Sequence, residues 1–301
     1  MTHTSIYRFS PRQTLAHLVL ILGAVIVMLP FYVMLTTSFK SSAEIASGTG
    51  GMLGAQELVL DQSCVNLGGT EQDCLTRPLI DNYHQAFTAA PLWRYLLNGV
   101  IVTASIFVLQ TLIAVPAAYA LAKLRFWGRD AAFGLVLFCL LIPVHAIALP
   151  LYLMLAKLGL TNSYAALILP WIVSAFGIFL MRQFFMTVPD DLIHAARLDG
   201  LGEFEILWRI MRPLAMPAML AFGVISIVSH WNDFFWPLIV IQTGDLATPP
   251  LGTLFFRNEE AGSDFGPLMA GTVVITAPLV LLFLAAQRRF IEGVTLSGIK
   301  G

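Results

Sequence analysis

Apolar residues fall into six blocks along this chain, at 15–39, 95–119, 131–155, 164–186, 213–241 and 267–287. Each is long enough to cross a bilayer's hydrocarbon layer, which takes about 20 helical residues. Within the blocks polar positions are sparse and do not alternate with apolar ones, so the pattern is not that of barrel strands. Backbone groups in lipid must satisfy one another, and the blocks therefore read as helices. The fold class predicted is an all-α integral membrane protein with six transmembrane helices.

Three polar stretches between the blocks carry structure of their own. Lys40–Arg94 is the longest; its Gly48-Thr49-Gly50-Gly51 start reads as loop, 81–87 as a short helix, and Pro91 with Trp93 as an interfacial anchor. Residues 242–266 form a shorter loop rich in Gly, Pro and acids. The third stretch, 187–212, reads as two short helices outside the lipid. Pro189 suits a first helical position, Asp190 and Asp191 favour a helix N-terminus, Gly200 is a stop, and 203–212 restarts the helix.

Charge orients the blocks. With the N-terminus in the cytoplasm, inside segments hold twelve Lys and Arg and outside segments five, the bias of cytoplasmic loops. Six spans return the C-terminus to the same side. Only 12% of residues are charged, against about a quarter in soluble domains, so no water-soluble domain is expected. The first block exceeds the 7–15 residues of a signal-peptide core and is expected to be retained.

Candidate chemistry is thin. Asp233 is an ionisable group inside a span, a functional candidate because lipid exposure costs several kcal/mol. Two readings stand: Asn232 and Asp233 line a solute path with Trp231 and Trp236 offering flat apolar faces, or Asp233 caps a helix break near the outer interface. His145, between Pro143 and Pro150, and Asn98 are either solute ligands or helix–helix hydrogen-bond partners. Cys139 reads as a small packing residue. Cys64 and Cys74 share the long outside loop and are either a disulfide or two free thiols. No histidine flanks them at ligand spacing, and no metal is expected. The chain has no Gly-x-x-x-x-Gly-Lys-Ser/Thr sequence and no Gly-Lys pair, so it lacks a phosphate-cradling loop and needs no cofactor of its own.

The 187–212 segment resembles the cytoplasmic loop of ABC importer membrane subunits. That loop carries Glu-Ala-Ala, then Gly after three residues, Ile after nine more, and Leu-Pro. Here stand Ala195-Ala196, Gly200, Ile210 and Pro213, with Asp199-Gly200 as in the carbohydrate branch. His194 replaces the usual Glu, and Arg212 the usual Leu. Arg182-Gln183-Phe184-Phe185, Val188-Pro189, Trp231-Asn232-Asp233, Trp236-Pro237-Leu238, Leu268-Met269-Ala270 and the tail from Gln287 are similar to the second permease subunit of maltose-type transporters. Residues 48–77 match nothing in that pattern.

The resemblance implies a type I importer permease of the bacterial inner membrane. Its organisation would be a cytoplasmic N-terminus 1–14, a first span 15–39, a periplasmic loop 40–94 and a core 95–301. A coupling helix would dock His194, Ala195, Ala196, Asp199 and Gly200 on an ATPase subunit, the two alanines forming a small surface that permits close approach. With histidine at 194, that contact becomes neutral or pH-dependent. The partners implied are a homologous permease, two ATPase subunits that bind ATP and Mg, and a periplasmic solute-binding protein. The solute implied is a sugar, oligosaccharide, polyol or glycoside. The 242–266 loop either reaches the binding protein or is a plain connector. The rivals are an ion-coupled secondary transporter using Asp233 and a membrane-embedded enzyme, for which the clustered acids or nucleophile are lacking.

Overall fold

A computed structural model describes residues 11–48, 51, 54, 59–60, 75–256 and 265–298. The pairing of Cys64 with Cys74 therefore lies outside the described residues. The architecture is helical. Among the described residues the strands are Val59–Leu60 and Leu75–Thr76, an antiparallel pair with Val59 opposite Thr76. The chain divides into two compact units: Met1–Ala89 with Phe256–Val274, and Ala90–Phe255 with Ile275–Gly301.

Four helices are each long and apolar enough to cross a membrane: Arg12–Thr37, Leu92–Lys123, Tyr164–Thr187 and Phe265–Ala285. The blocks expected at 131–155 and 213–241 are not single straight helices: the first is a bent pair, and the second starts at the bend of a pair whose first member, Glu203–Leu214, precedes it, and breaks again at Asn232–Phe234. Arg129–Leu141 meets Val144–Lys157 at 94°, and Glu203–Leu214 meets Met216–Trp231 at 75°; the count reaches six when each pair is one span. Proline explains the first bend. Pro143 has no N–H to donate, and its ring drives Ile142 out of helical geometry, to φ −79° and ψ 119°. Hydropathy is uninterrupted across Pro143, which is why the composition reads as a single span.

In the first unit, the apolar window of Arg12–Thr37 is wholly unburied within the chain, as expected of a helix surrounded by lipid or other subunits. The helix expected at 81–87 is Pro78–Thr88. Its buried Asn82 donates to the carbonyls of Ser38 at 3.0 Å and Lys40 at 2.9 Å, tying the end of the first helix.

In the second unit, Leu92–Lys123 is the spine. Its 32 residues span about 48 Å at 1.5 Å per residue, well beyond the roughly 30 Å hydrocarbon layer. The last turns therefore pass the hydrocarbon into the headgroup layer and meet the 187–212 segment. Ala175–Thr187 and Met216–Trp231 pack along the spine. Glycines allow that closeness: a Cβ at Gly177 would lie 2.7 Å from the Phe222 ring, and one at Gly223 would lie 3.0 Å from Phe107. The main core joins Tyr119, Met181, Phe185, Met211 and Phe222 to Ile193 and Ala196. Cys139 is exposed, not packed, because no residue of Arg129–Leu141 is buried within the chain.

At the other end of the spine, Pro249–Gly252 presses on its first turns. A Cβ at Gly252 would strike the Tyr95 ring, and one at Gly99 would stand 2.5 Å from Pro249. Overpacking of this kind costs about 1–3 kcal/mol. Gly252→Ala is therefore expected to lower the thermal midpoint of the purified protein in detergent by several degrees. An unchanged midpoint would show that the ring yields freely.

Candidate functional site

Residues 187–212 form a short helix, a turn and a second helix, as the sequence predicts. The first helix is Asp190–Leu198, with Pro189 immediately before it at φ −59° and ψ 135° and not within its first turn. Gly200 ends it at φ +84°. The Leu201 amide donates to the Ala196 carbonyl at 3.0 Å and the Gly200 amide to Arg197 at 3.1 Å. This is a Schellman cap, and the left-handed position it needs suits glycine. The chain restarts at Glu203, continues as a π-helix over Ile206–Met211, and bends at Ala215. A π-turn at such an elbow marks a helix under local constraint.

Helical spacing separates the faces of Asp190–Leu198. Ile193 and Ala196 turn inward; Ala196 is 4% exposed and belongs to the chain's own core. Leu192, Ala195 and Leu198 face out, with Leu198 89% exposed. This corrects the expectation that both alanines form one external surface, because positions 195 and 196 lie about 100° apart on a helix. Asp199 and Gly200 are exposed at the helix end. His194 is also exposed, but lines a cleft with Lys123, Arg125, Asp190 and Arg197.

Two ionic ties fasten this helix to its surroundings. Lys123, at the end of the spine, meets Asp190 at 2.5 Å and donates to the Val188 carbonyl at 2.6 Å. Hydrogen bonding from Lys123 holds the Asp190 carboxyl below its ordinary range. Glu203 accepts from Arg197 at 2.7 Å and from the Tyr119 hydroxyl at 2.6 Å, joining helix, elbow and spine through one carboxylate. The Arg197 hydrogen bond lowers the Glu203 pKa below its ordinary 4.5. A carboxyl lowered on folding adds stability that is complete above pH 4.5 and is lost as pH falls through the depressed value. Acid titration of thermal stability is therefore expected to show a step below that pH which Glu203→Gln reduces, Asp190 supplying the rest. An identical titration in the variant would mean that the tie contributes nothing.

The second candidate lies where the 213–241 block breaks. Met216–Trp231 ends, and Phe235–Val240 resumes after Asn232–Phe234. The Asp233 carboxylate accepts from the Trp236 amide at 3.2 Å. The same residue lines a cavity of about 270 Å³ with His145, Trp171, His230, Phe235 and Trp236. Asp233 thus both accepts from an amide in the first turn of the restarted helix and faces the cavity. The bend at Pro143 brings His145 there, its ring 4.6 Å edge-on to Phe235.

Trp171 and Trp236 stand edge to face at 5.7 Å. Trp236 donates its indole N–H to the Ala166 carbonyl at 2.9 Å. The Trp171 indole N–H is buried without a partner among the described residues. A ladder positions this group: Gln110 donates to the Trp171 carbonyl at 2.7 Å and accepts from Ser226 at 2.7 Å. His230 Nδ1 lies 2.7 Å from the Ser226 carbonyl. A carbonyl only accepts, so that nitrogen carries the proton. The cavity therefore offers a carboxylate, two imidazoles and aromatic faces.

Three of the six residues expected on the solute path do not line this cavity. Asn98 is buried and donates to the carbonyls of Asp245 and Ala247, both at 2.9 Å, while Tyr164 donates to its oxygen. Trp231 is buried and donates to the Ile275 carbonyl at 3.1 Å. Asn232 is exposed and donates back to Val228 at 2.9 Å. Their hydrogen bonding is internal to the chain. Trp171 was missed by sequence reasoning; its signal was a tryptophan placed mid-block after Pro170, away from the block edges where interfacial aromatics belong.

Known proteins place this geometry in a family. Residues 110–295 match the family described as binding-protein-dependent transport system inner membrane component. The chain is 36% identical over 279 residues to the arabinooligosaccharides transport system permease protein AraQ of Halalkalibacterium halodurans, covering 92% of this chain and 93% of that one. It is 30% identical over 281 residues to the sn-glycerol-3-phosphate transport system permease protein UgpE of Escherichia coli, covering 92% and 94%. Its fold is similar, at a TM-score of 0.74 and 22% identity, to a chain in the crystal structure of a bacterial ABC transporter that imports the acidic polysaccharide alginate, covering 94% of this chain and 99% of that one. With a match over more than half its length and relatives at this identity, the chain belongs to the inner membrane components of binding-protein-dependent transport systems.

Proposed function

We propose that this chain is one of two homologous permease subunits of an ATP-driven importer for a carbohydrate-like solute, worked from the cytoplasm through Asp190–Leu198. The observation that carries this reading is the outward face of that helix. Leu192, Ala195 and Leu198 stand unpacked on a polar surface, followed across the turn by exposed Phe204. Apolar side chains left open beside a stiff cap suit a contact with another protein. Tyr119, Arg197 and Glu203 then link the helix to the spine. Movement of a docked ATPase subunit would reach the membrane helices as a rigid displacement.

In this reading His194, Ala195, Ala196, Asp199 and Gly200 form the docking element with divided labour. Ala195 and Asp199 meet the ATPase, Ala196 and Gly200 hold the helix in shape, and His194 faces the neighbouring cleft. ATP and Mg belong to two separate ATPase subunits, and a periplasmic binding protein delivers the solute. The N- and C-termini lie in the cytoplasm, with 1–14 inside, 15–39 as first span, 40–94 in the periplasm and 95–301 as the core. Cys64 and Cys74 fall in the sequence of that loop, as a disulfide or as two free thiols.

The solute class follows from the cavity at Asp233. Aromatic faces beside imidazoles and a carboxylate suit a polyhydroxylated molecule, with apolar ring faces and hydroxyl edges. The relative named for arabinooligosaccharide transport agrees with this chemistry, and the one named for glycerol-phosphate transport shares the hydroxyl groups alone. In this reading Asn98, Trp231 and Asn232 act as supports of the path through their internal hydrogen bonds. To separate this from ion-coupled transport through Asp233, the complete assembly is reconstituted in vesicles loaded with ATP. Uptake of a radiolabelled sugar should survive ionophores that collapse ion gradients and stop when ATP is omitted. The opposite pattern contradicts the proposal.

A further inference from the structure

Residues 124–128 join two helices that both run into apolar, membrane-length sequence, Leu92–Lys123 and Arg129–Leu141. This turn therefore lies near the phosphates of one leaflet, whichever side of the membrane it faces. Its residues suit that level. Lys123, Arg125 and Arg129 stand within seven positions, Trp127 is 100% exposed, and Phe126 is exposed beside it. Amphipathic aromatic rings collect at the headgroup layer, where one edge is wet and the ring lies on acyl chains.

Behind the turn is a cleft of about 580 Å³, walled by Lys123, Arg125 and Phe126 and, from the Asp190–Leu198 helix, by Asp190, His194 and Arg197. Its charges are unequal. Asp190 is taken by Lys123 at 2.5 Å, and Arg197 is answered by Glu203 at 2.7 Å. Arg125 makes no ion pair with any described residue, and it also lines the adjoining cleft that holds Arg129. Among the described residues Arg129 pairs with its sequence neighbour Asp130, at 3.3 Å. Position 194 adds a histidine to this wall and no carboxylate.

We propose that this cleft binds the phosphate headgroup of an anionic phospholipid. Arg125 is the principal anion partner, Arg129 flanks it, and Trp127 with Phe126 rests on the acyl chains. A planar guanidinium suits a phosphate diester, which it can hold through two parallel hydrogen bonds. The occupant is a lipid and not a soluble phosphate because the cleft opens beside exposed aromatic side chains and beside a helix whose apolar residues, Leu135 and Phe138 among them, are open to the bilayer. The bound headgroup touches both the membrane turn and the docking helix. It therefore braces that helix against the spine in addition to Glu203. The inference depends on the chain spanning a membrane and is independent of the solute.

The test is native mass spectrometry of the whole importer assembly, released from nanodiscs containing equal parts phosphatidylcholine and phosphatidylglycerol. Phosphatidylglycerol is expected to stay bound in preference. Each arginine removed by Arg125→Gln and Arg129→Gln should lower its retention about fivefold. Arg125→Lys should keep most of it, and His194→Glu should lower it by placing a carboxylate in the cleft. Added inorganic phosphate should not displace the lipid. Equal retention of both lipids, or retention unchanged in the double glutamine variant, would overturn the proposal. So would displacement by inorganic phosphate, which would make this a soluble-anion site. Should the double variant fail to assemble, Arg125→Lys and His194→Glu decide: indistinguishable retention in those two overturns the proposal as well.

Discussion

Ala195→Arg is expected to abolish recruitment of the ATPase subunit while leaving the permease folded in the membrane. Ala195 lies on the outward face between Leu192 and Leu198, where a bulky charged side chain meets solvent in the isolated chain and the partner in the assembly. Disrupting the centre of a contact costs at least about 2 kcal/mol, roughly thirtyfold in affinity. Ala196→Arg should fail differently. Ala196 is packed among Ile193, Tyr119 and Phe185, so an arginine there leaves an unpaired charge in the core at a cost of about 3–5 kcal/mol. Co-purification of the ATPase, read beside the thermal midpoint of the permease alone, separates the two. The account expects Ala195→Arg to lose the partner at an unchanged midpoint, and Ala196→Arg to lose the midpoint itself. Normal recruitment by Ala195→Arg would mean that the ATPase grips another surface.

Asp233 gives the second large effect, and its two roles call for two variants. Asp233→Asn keeps an oxygen that can accept from the Trp236 amide but removes the charge; Asp233→Ala removes both. Hydrogen bonds to charged groups contribute about 1.5–3 kcal/mol. Uptake is therefore expected to fall roughly tenfold to a hundredfold in both variants, with binding-protein-stimulated ATP hydrolysis preserved. Loss of the cap adds about 1 kcal/mol of instability to the alanine variant alone. If Asp233→Asn transports as the unsubstituted chain does, the carboxylate is a helix cap and the cavity serves no solute. Trp171→Phe complements this test. It keeps an aromatic face and removes the unpartnered indole N–H, so a smaller loss of uptake is expected.

Much of this was legible in the residues, and the exceptions have a common cause. Four of the apolar blocks, the helix at 190–198 and the stop at Gly200 are local properties of composition, dipole and backbone freedom, and they appear where expected. The bend at Pro143 was concealed by unbroken hydropathy, although the proline that causes it stands in plain sight. The opposed orientations of Ala195 and Ala196 could not be read from the motif, because adjacency in sequence says nothing of which face meets the core. Asn98 and Trp231 look like path residues only while their partners are unknown. Asp245, Ala247 and Ile275 are distant in sequence and supply carbonyls that satisfy them. Tyr119 was the least conspicuous of these residues, since its role depends on Glu203, 84 positions away.

The account depends most on a partner protein closing over the outward face of Asp190–Leu198, and site-specific cross-linking reads this directly. Single cysteines are placed at Ala195, Ala196 and Leu198 in a chain whose exposed Cys139 has been replaced by serine. The assembled importer is then treated with a short bifunctional thiol–amine reagent, with the chain lacking these new cysteines as baseline. The prediction is a cross-link to the ATPase subunit from positions 195 and 198 and none from 196. A cysteine at 195 or 198 that instead reacts with membrane-confined reagents, or only with reagents added from the periplasmic side, would contradict it.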